Sequence, residues 1–497
     1  MLTSVILSVL FVLISWVFVH RKYSFWKRIG VLGPIPEFPF GSLRGVGTQY
    51  HSSEIIDKLY YGFKDRTPIV GIYFFLKPVA LVLDLDVAHD ILVKNFKTFP
   101  DHGLFYYNER DDPLTAHLFA LEGEKWRQIR KKVGPAFTSA KISTMFPLMR
   151  HVAKQLEVSL AAFEGAEVDA VEFASRFTTD LIGSCAFGID CNSLNEKDNV
   201  FFRMGRRILT EMKTLELIRF LLCSTYVNIA RFLRVKVVVP EAREFYMGIL
   251  RETMKHREMT GTVRRDLIDM MMQIGKNGKL EESTEEVGTM TFNEIAAQVF
   301  GFFIANFETS ALTITACLFE LSLQPQLQEL AHEEILSTVS EDELTYESLM
   351  GMKYLTQILN ETVRKYPVVH LLQRQSVADY RIPGTDVTIP AGTLFYIPLW
   401  SFQNDSAFFP QPSAFDPSRF SPENILDIPA RAYMPFGDGP RYCIGRKLGQ
   451  VQTLLAIATL LRRYKFTPCP RTPKVIRPNP KSVFINTTGV WLKVERR

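Results

Sequence analysis

A ten-residue stretch near the carboxyl end, residues 436–445, constrains this chain more than any other feature. It reads Phe-Gly-Asp-Gly-Pro-Arg-Tyr-Cys-Ile-Gly and sets Cys443 among glycines that let the backbone approach a flat partner closely. Arg441 stands two residues before the cysteine. A thiolate presented in this way suits the axial position of a haem iron. A buried structural cysteine in a glycine-rich turn is the alternative, since free cysteine is among the most buried residue types.

The stretch resembles the haem-binding loop of the cytochrome P450 superfamily, whose pattern Phe-x-x-Gly-x-Arg-x-Cys-x-Gly it matches at every fixed position. The resemblance covers nearly the whole chain, and segments 108–115 and 297–303 are most similar to insect microsomal members of family 6. It implies the cytochrome P450 fold, mainly α with small β-sheets (α+β), and haem b as the cofactor. By the same resemblance Cys443 is the axial ligand of the iron, and Phe436, Gly439 and Gly445 shape the loop that binds the haem.

The composition fits a large globular enzyme and argues against several other classes. Hydrophobic residues make up 47% of the 497 residues and 38 are phenylalanine, enough for a large core and an apolar pocket. The net charge of +5 is too small to indicate a nucleic-acid-binding protein. The six cysteines have no paired, zinc-like spacing. In so long a chain this indicates a reduced, cytosol-facing protein rather than a disulfide scaffold.

The first segment predicts a membrane anchor. Residues 2–19 are apolar except for one threonine and three serines, and as a helix they span about 27 Å. Basic residues follow at once, so the positive-inside rule places the rest of the chain on the cytosolic face. A cleaved secretory peptide is the alternative, but the run lacks a basic start and a small-residue cleavage site. We predict an anchor over 1–20, a basic and proline-rich hinge over 21–41, and a haem-thiolate catalytic domain over 42–497.

The rest of the chain has no linker or repeat that would divide it. Two β-rich runs around Lys77-Pro78 predict a hairpin. Helical spacing of apolar residues dominates from about 123 to 323, with a capping-box pattern at Thr291 and Glu294 that starts a long helix. Another helix is predicted near 355–365, then short strands, an irregular meander up to the cysteine loop, and a last helix.

One group of charged residues gains its meaning from the resemblance. Glu361 and Arg364 stand three residues apart on one predicted helix face, and Arg419 follows in the segment Pro-Ser-Arg-Phe. Surface pairs of this kind are common, so the pair alone is a weak signal. The resemblance implies that these three residues form a buried cluster that acts as a scaffold for the cysteine loop, not as a catalyst.

The resemblance also implies that four residues hold the carboxylate groups of the haem: Trp126, Arg130, Arg374 and Arg441. Arginine suits this role because its planar fork meets carboxylates with two hydrogen bonds. For Trp126 and Arg130, an ordinary amphipathic helix is the alternative. The same helix and the start of the last helix carry further cations that form either a docking patch for an acidic electron-donor protein or merely solvated charges: Lys125, Arg127, Lys131, Lys132, Arg446 and Lys447.

The predicted long helix carries Glu308 and Thr309, which match the acid and the hydroxyl that the family places beside its oxygen site. Protons must be delivered there, and a hydroxyl backed by a carboxylate and water is a suitable relay. A threonine that bonds back to the carbonyl of Ala305 is the alternative, and both can hold together.

The resemblance places a set of mainly apolar residues around a substrate pocket, although most of them could equally belong to the core. Two members stand out: asparagine at 306 replaces the usual glycine, and histidine at 370 stands where proline is frequent. We hypothesise that Asn306 narrows the groove beside the oxygen site, and that His370 is either a polar contact or merely exposed. The set is Phe105, Phe119, Phe302, Ala305, Asn306, Val369, His370 and Phe484.

A second apolar run, residues 235–240, would lie between two helices near the pocket mouth. Two interpretations remain open for it. An exposed run could dip into the bilayer and open a route for lipophilic substrates, whereas a buried strand would serve only the core.

By this resemblance the chain is a membrane-anchored monooxygenase. It would insert one oxygen atom of O2 into lipophilic substrates such as xenobiotics, plant toxins, insecticides or endogenous hormones and lipids. Electrons would come from NADPH through a separate flavoprotein, NADPH-cytochrome P450 reductase, with cytochrome b5 as a further candidate partner. We expect a single-pass protein of the endoplasmic reticulum (microsomal) membrane that contacts membrane lipid, faces the cytosol and binds no nucleic acid. The alternatives are a haem-thiolate isomerase or dehydratase that needs no external electrons, and a non-catalytic carrier of apolar molecules.

Overall fold

The computed structural model describes residues 2–103, 106–209, 211, 213–281, 283–339, 343–482, 484–485, 487 and 489–497. Helices predominate, as predicted. They are α1 Leu2–Tyr23, α2 Phe25–Arg28, α3 Ser52–Phe63, α4 Leu85–His89, α5 Gly123–Val133, α6 Ser139–Ala161, α7 Ala170–Ile182, α8 Val200–Leu209, α9 Thr214–Thr225, α10 Val227–Phe232, α11 Pro240–Thr260, α12 Leu267–Asn277, α13 Phe292–Leu323, α14 Pro325–Thr338, α15 Tyr346–Gly351, α16 Lys353–Lys365, α17 Leu399–Gln403 and α18 Arg446–Arg463. The strands are β1 Ile69–Phe74, β2 Lys77–Val82, β3 Glu167–Asp169, β4 Leu372–Gln375, β5 Tyr380–Arg381, β6 Thr388–Ile389, β7 Leu394–Ile397, β8 Tyr464–Pro468 and β9 Trp491–Arg496.

The strands form small sheets. One runs in the order β1-β2-β7-β4, another in the order β3-β9-β8, and β5 pairs with β6. β1 and β2 form the predicted antiparallel hairpin, although its turn lies just before Lys77-Pro78, which begins β2. β7 runs parallel to β2, and β4 runs antiparallel to β7 with Arg374 opposite Phe395. Beyond β4, Asp101 makes an isolated antiparallel bridge to Gln375, so the chain before α5 extends this sheet.

The helical core is built around α13. The predicted capping box starts this helix: Thr291 Oγ1 accepts the N–H of Glu294 at 3.2 Å, and the Glu294 carboxylate accepts the N–H of Thr291 at 2.8 Å. α7, α14, α16 and α18 pack against it. α13 is apolar around its whole circumference, as expected for a helix at the centre of a core. It has the length and hydropathy of a membrane span, but 72% of its apolar window is buried inside the protein.

The amino-terminal segment has an exposed helix and a packed connection. α1 also has the length and hydropathy of a membrane span, and none of its residues is buried. Within the predicted hinge over 21–41, Trp26 is buried and its Nε1–H donates to the carbonyl of Ile72 at 2.8 Å. Gly33 lies so close to Gly71 of β1 that any side chain on it would overlap the Gly71 carbonyl. Part of the hinge therefore belongs to the sheet, and α1 leaves the body from it.

Candidate active site

The loop that carries Cys443 is closed by its own backbone. The N–H of Cys443 donates to the carbonyl of Phe436 at 2.9 Å. Gly439 has a φ of +69° and lies against the carbonyl of Leu92, where a Cβ atom would overlap. Only glycine fits such a position without strain. A Cβ on Gly445 would come to 4.0 Å from the Cys443 sulfur, so the glycine leaves the thiol uncrowded.

The Cys443 side chain faces a space inside the protein. The side chain is exposed although protein surrounds it on nearly every side. Burial raises the pKa of the thiol, and a hydrogen bond from the Gly445 backbone together with the charges of Arg130 and Arg446 acts in the opposite direction. The thiol is therefore neutral without a partner, and a metal cation in this space would convert it into a thiolate ligand.

Arg441 is held rigidly beside this loop. Its Nε–H donates to the carbonyl of Pro100 at 2.7 Å, and its Nη2 donates to the Asp101 carboxylate at 2.9 Å. Its guanidinium carbon lies 4.0 Å from the centre of the Trp126 ring, a cation–π contact that brings these two predicted haem-carboxylate residues together. The Nη1 atom of Arg441 is buried without a partner among the described residues.

Arg374 on β4 is the second buried cation of the site. Its Nη1 donates to the carbonyl of Gln373 at 2.8 Å, whereas its Nε is buried without a partner among the described residues. Burial and the charge of Arg441 lower the pKa of Arg374 to about 9, and burial lowers that of Arg441 to about 10. Buried cations with unsatisfied N–H groups are costly unless an anion pairs with them. The two arginines therefore provide a binding site for an anionic group.

Arg130 lies near the cysteine loop and near Arg441. Its guanidinium lies over the Tyr442 ring at 4.8 Å. Burial lowers the pKa of Arg130, and the neighbouring Tyr442 and Cys443 side chains act in the opposite direction, which places them near Arg130. Trp126, Arg130 and Arg374 thus all lie near Arg441.

The predicted charged cluster is assembled and buried. Arg364 Nε donates to Glu361 Oε2 at 2.7 Å and its Nη2 to Oε1 at 2.8 Å, with both side chains fully buried. Arg419 Nε lies 3.6 Å from Glu361 Oε1. Arg364 Nη1 also donates to the carbonyl of Gln403 at 2.9 Å, and Gln403 Oε1 accepts the N–H of Met434 at 3.2 Å. The cluster is thus connected to the backbone two residues before Phe436.

One face of α13 is not covered by packed side chains at its middle. Ala305 is exposed and Thr309 is partly exposed in the middle of this otherwise buried helix. Thr309 Oγ1 donates to the carbonyl of Ala305 at 2.6 Å, so the back-bonded arrangement is present. Glu308 is buried, and burial raises its pKa to about 7. A carboxyl group with this pKa both accepts and donates protons near neutral pH.

The structure places the Asn306 side chain elsewhere than predicted. Asn306 is only 8% exposed, and its Oδ1 accepts hydrogen bonds from Gln452 Nε2 on α18 and from Ser310 Oγ. Its Nδ2 is buried without a partner among the described residues. Position 306 is about 100° around the helix from position 305, and that rotation carries the side chain onto α18 instead of into the space that Ala305 faces. The hypothesis of a narrowed oxygen groove is therefore wrong in its geometry.

The predicted pocket residues divide into two groups. Phe119 and Val369 are 49% and 38% exposed, Phe302 and Phe484 are partly exposed, and none of them is a closed core residue. His370 is different: it is 8% exposed, its Nε2 lies 2.8 Å from Ser52 Oγ, and its ring packs edge-on against His51 at 4.9 Å. His370 is therefore a buried polar contact and not an exposed residue. Phe105 lies outside the described residues.

Comparison with known proteins identifies the family. The model of the family described as "Cytochrome P450" matches residues 35–494. The chain belongs to the cytochrome P450 family. It is 40% identical over 492 residues to "Probable cytochrome P450 6a14" of Drosophila melanogaster, covering 96% of each chain. It is 40% identical over 474 residues to "Cytochrome P450 6A1" of Musca domestica, covering 94% of this chain and 92% of the relative. The predicted P450 enzyme, its similarity to insect family 6 and its fold class are thereby confirmed.

The residues of this P450 fit a haem, the cofactor of the family. The site offers an uncrowded thiol for an iron atom and two buried guanidinium groups, each with an unsatisfied nitrogen, for carboxylates. Sequence reasoning missed two residues of this region. Asp101 holds both Arg441 and the N–H of Gly123, and His102 follows it with a ring that lies 4.4 Å from that of Phe119. Their signal is a polar pair, Asp-His, between apolar residues.

Proposed function

We propose that this cytochrome P450 is a membrane-anchored haem-thiolate monooxygenase that inserts one oxygen atom of O2 into lipophilic substrates with electrons from NADPH through a reductase. One observation carries the proposal: the uncrowded Cys443 thiol lies in the same region as the buried cations Arg374 and Arg441. A thiol and an anion site so arranged match the two chemically distinct ends of a haem.

Cys443 would hold the haem iron through its thiolate, in a loop shaped by Phe436, Gly439 and Gly445. When bound, the haem supplies oxygen binding and activation, which thiolate donation favours. The protein would orient the cofactor through its carboxylates, which Arg374 and Arg441 would hold with their unsatisfied N–H groups, beside Trp126 and Arg130. Glu361, Arg364 and Arg419 act as a scaffold, because they reach the loop through Gln403 and Met434.

Glu308 and Thr309 are the proposed proton relay. With a pKa of about 7, Glu308 is present in both protonation states near neutral pH. Thr309 donates its hydroxyl hydrogen to the Ala305 carbonyl, so the lone pairs of its oxygen stay available to accept a hydrogen bond from water. The two residues are consecutive on α13, where Glu308 is buried and Thr309 is partly exposed.

We propose that residues 1–20 anchor the chain in the endoplasmic reticulum membrane, with residues 42–497 as the cytosolic catalytic domain. The exposed apolar α1 followed by basic residues supports this topology. A second apolar surface supports lipid contact. The 235–240 run is partly buried, with Val238 in the core, whereas the helices before it expose Leu215, Ile218, Ile229, Phe232 and Leu233, of which Phe232 is 86% exposed. Contact with the bilayer would cover this surface.

The proposed electron donor is NADPH-cytochrome P450 reductase, with cytochrome b5 as a second candidate. The cations of the predicted docking patch lie near the cysteine loop on α5 and α18. Several already have partners on this chain: Lys125 lies 2.8 Å from Glu109, Arg127 lies 3.5 Å from Glu124, and Lys132 lies 3.5 Å from Glu294. An acidic partner protein would have to break these ion pairs before it could bind the three cations. We therefore propose that the exposed Lys131 and Arg446 make the main contacts to the partner.

Reconstitution in lipid with the reductase, NADPH and isotopically labelled O2 tests the proposal. The expected result is NADPH-dependent product from a lipophilic substrate that carries one labelled oxygen atom. Product that forms without NADPH would favour an isomerase or dehydratase. Substrate binding without any product in a panel of xenobiotics, plant toxins, insecticides, hormones and lipids would favour a carrier. Compounds for the panel are first selected by the spectral shift that they cause in the bound haem.

A further inference from the structure

A histidine that the family resemblance did not assign lies beside the two buried arginines. The bridge between Asp101 and Gln375 is antiparallel, so the next pair in register is His102 opposite Arg374. Directly opposed residues of an antiparallel pair project their side chains to the same side. Gly103 makes this approach possible, because a Cβ on it would lie 2.6 Å from the Cβ of Gln375.

The hydrogen bonding of His102 determines which of its nitrogens is free. Its Nδ1 lies 2.9 Å from the carbonyl oxygen of Phe119. A carbonyl oxygen only accepts, so Nδ1 carries the hydrogen and Nε2 holds the lone pair of the neutral ring. No described residue bonds to Nε2. The ring is partly exposed although protein surrounds it, so His102 borders an internal space.

The charges that face His102 explain why it is neutral in the absence of a ligand. Burial and the positive charges of Arg374 and Arg441 lower the pKa of His102 well below its usual value. Its own segment contributes one carboxylate, Asp101, which is already bonded to Arg441 and to the N–H of Gly123. An anion that enters this space reverses the balance, because a nearby opposite charge favours the protonated ring.

We infer that His102 is a further residue of the cofactor site, which takes up a proton from solvent and donates a hydrogen bond from Nε2 to a haem carboxylate. The inference rests on the proposed function, since it requires a bound haem. Arg374 and Arg441 keep their charge at neutral pH, whereas a histidine titrates in the physiological range. Its contact is present below the pKa of His102 in the haem-bound protein and is lost as the pH rises through it. Haem retention therefore weakens with rising pH through this residue.

Transfer of haem from the full-length holoprotein to excess apomyoglobin, followed in the Soret band, tests the inference without any measurement of activity. For the parent, transfer should become roughly tenfold faster from about pH 6 to about pH 8. His102→Leu should transfer haem fast across this range, and His102→Arg should transfer it slowly across this range. His117→Leu is the matched control. Like His102, His117 lies in the segment before α5, but it packs against Gly301, away from the arginines. This variant should keep the pH dependence of the parent.

The outcomes separate this inference from the proposed function. If the parent binds no haem, the proposed function fails. If the parent binds haem but His102→Leu retains the parental rate and pH dependence, only the inference about His102 fails. Fast transfer from His102→Arg would also overturn it, because a permanent charge at this position must substitute for the protonated histidine. Loss of the pH dependence in His117→Leu would also overturn it, because the effect would then belong to the segment before α5 as a whole and not to His102.

Discussion

Replacement of Asn306 by alanine should destabilise the protein without improving oxygen use. Asn306 Oδ1 accepts hydrogen bonds from Gln452 on α18 and from Ser310, and the side chain is buried. Its removal leaves the Gln452 amide with fewer partners in the core, which costs about 1–3 kcal/mol. Because Asn306 Nδ2 and Gln452 Oε1 are already unsatisfied among the described residues, we expect the lower part of that range, about 1–2 kcal/mol.

The glycine variant separates the side chain from the backbone. Asn306→Gly should be about 0.5–1 kcal/mol less stable than Asn306→Ala, because glycine is unfavourable inside a helix. Urea unfolding of the holoprotein, followed by circular dichroism and by the Soret band, measures both differences. A double-mutant cycle with Gln452→Ala should give a coupling energy of about 0.5–3 kcal/mol. A change below about 0.5 kcal/mol in Asn306→Ala, or no coupling to Gln452, would refute the reasoning.

Oxygen use provides the contrast with the sequence-based hypothesis. If Asn306 narrowed the oxygen groove, Asn306→Gly would raise the product formed per NADPH consumed. Since its side chain lies against α18, we expect the ratio to stay within experimental error of the parent, with haem incorporation unchanged. A clear rise in coupling would show that the side chain acts on the oxygen side after all.

Three further predictions follow from the same contacts. Thr309→Ala should keep haem content and substrate binding but divert reducing equivalents to peroxide or water; unchanged product per NADPH would exclude it from the relay. Asp112 Oδ2 accepts hydrogen bonds from the N–H groups of Val237 and Val238 at 2.8 and 2.9 Å, so Asp112→Ala should hasten tryptic cleavage after Lys236. Equal cleavage rates in Asp112→Ala and the control Asp111→Ala would show that this contact does not restrain the segment. Burial lowers the pKa of His370 to about 3, so the unfolded state takes up a proton as the pH falls below about 6.5 while the folded state does not. Between about pH 7 and pH 5 the parent should therefore lose about 2 kcal/mol more of its free energy of unfolding than His370→Asn. Equal losses in urea unfolding would contradict this.

Features encoded by neighbouring residues could be predicted from the sequence. The cysteine loop, the capping box of α13 and the β1–β2 hairpin depend on residues a few positions apart, where spacing alone fixes the geometry. Glu361 and Arg364 are equally local, and their partner Arg419 was found only through the family pattern. The packing of part of the hinge on the sheet could not be predicted, because the contact between Gly33 and Gly71 gives no signal in composition.

Side-chain directions at the site could not be predicted, because they depend on distant partners. Asn306 turns toward Gln452, which is 146 residues away, and His370 bonds to Ser52, which is 318 residues away. Helical periodicity places Asn306 about 100° from Ala305, but it does not state which neighbour lies on that side. His102 was overlooked for the same reason: its position opposite Arg374 exists only once the segment pairs with β4.

The reduced carbon monoxide complex tests the central claim, that the Cys443 thiolate binds haem iron, most directly. The parent protein should give the Soret band of a thiolate-ligated complex, and Cys443→His should bind haem but give the band of an imidazole-ligated complex. Cys469→Ala, which removes another cysteine that is not buried, should leave the parental spectrum unchanged. A thiolate-type band that persists in purified Cys443→His, or is absent from the haem-loaded parent, would contradict the account.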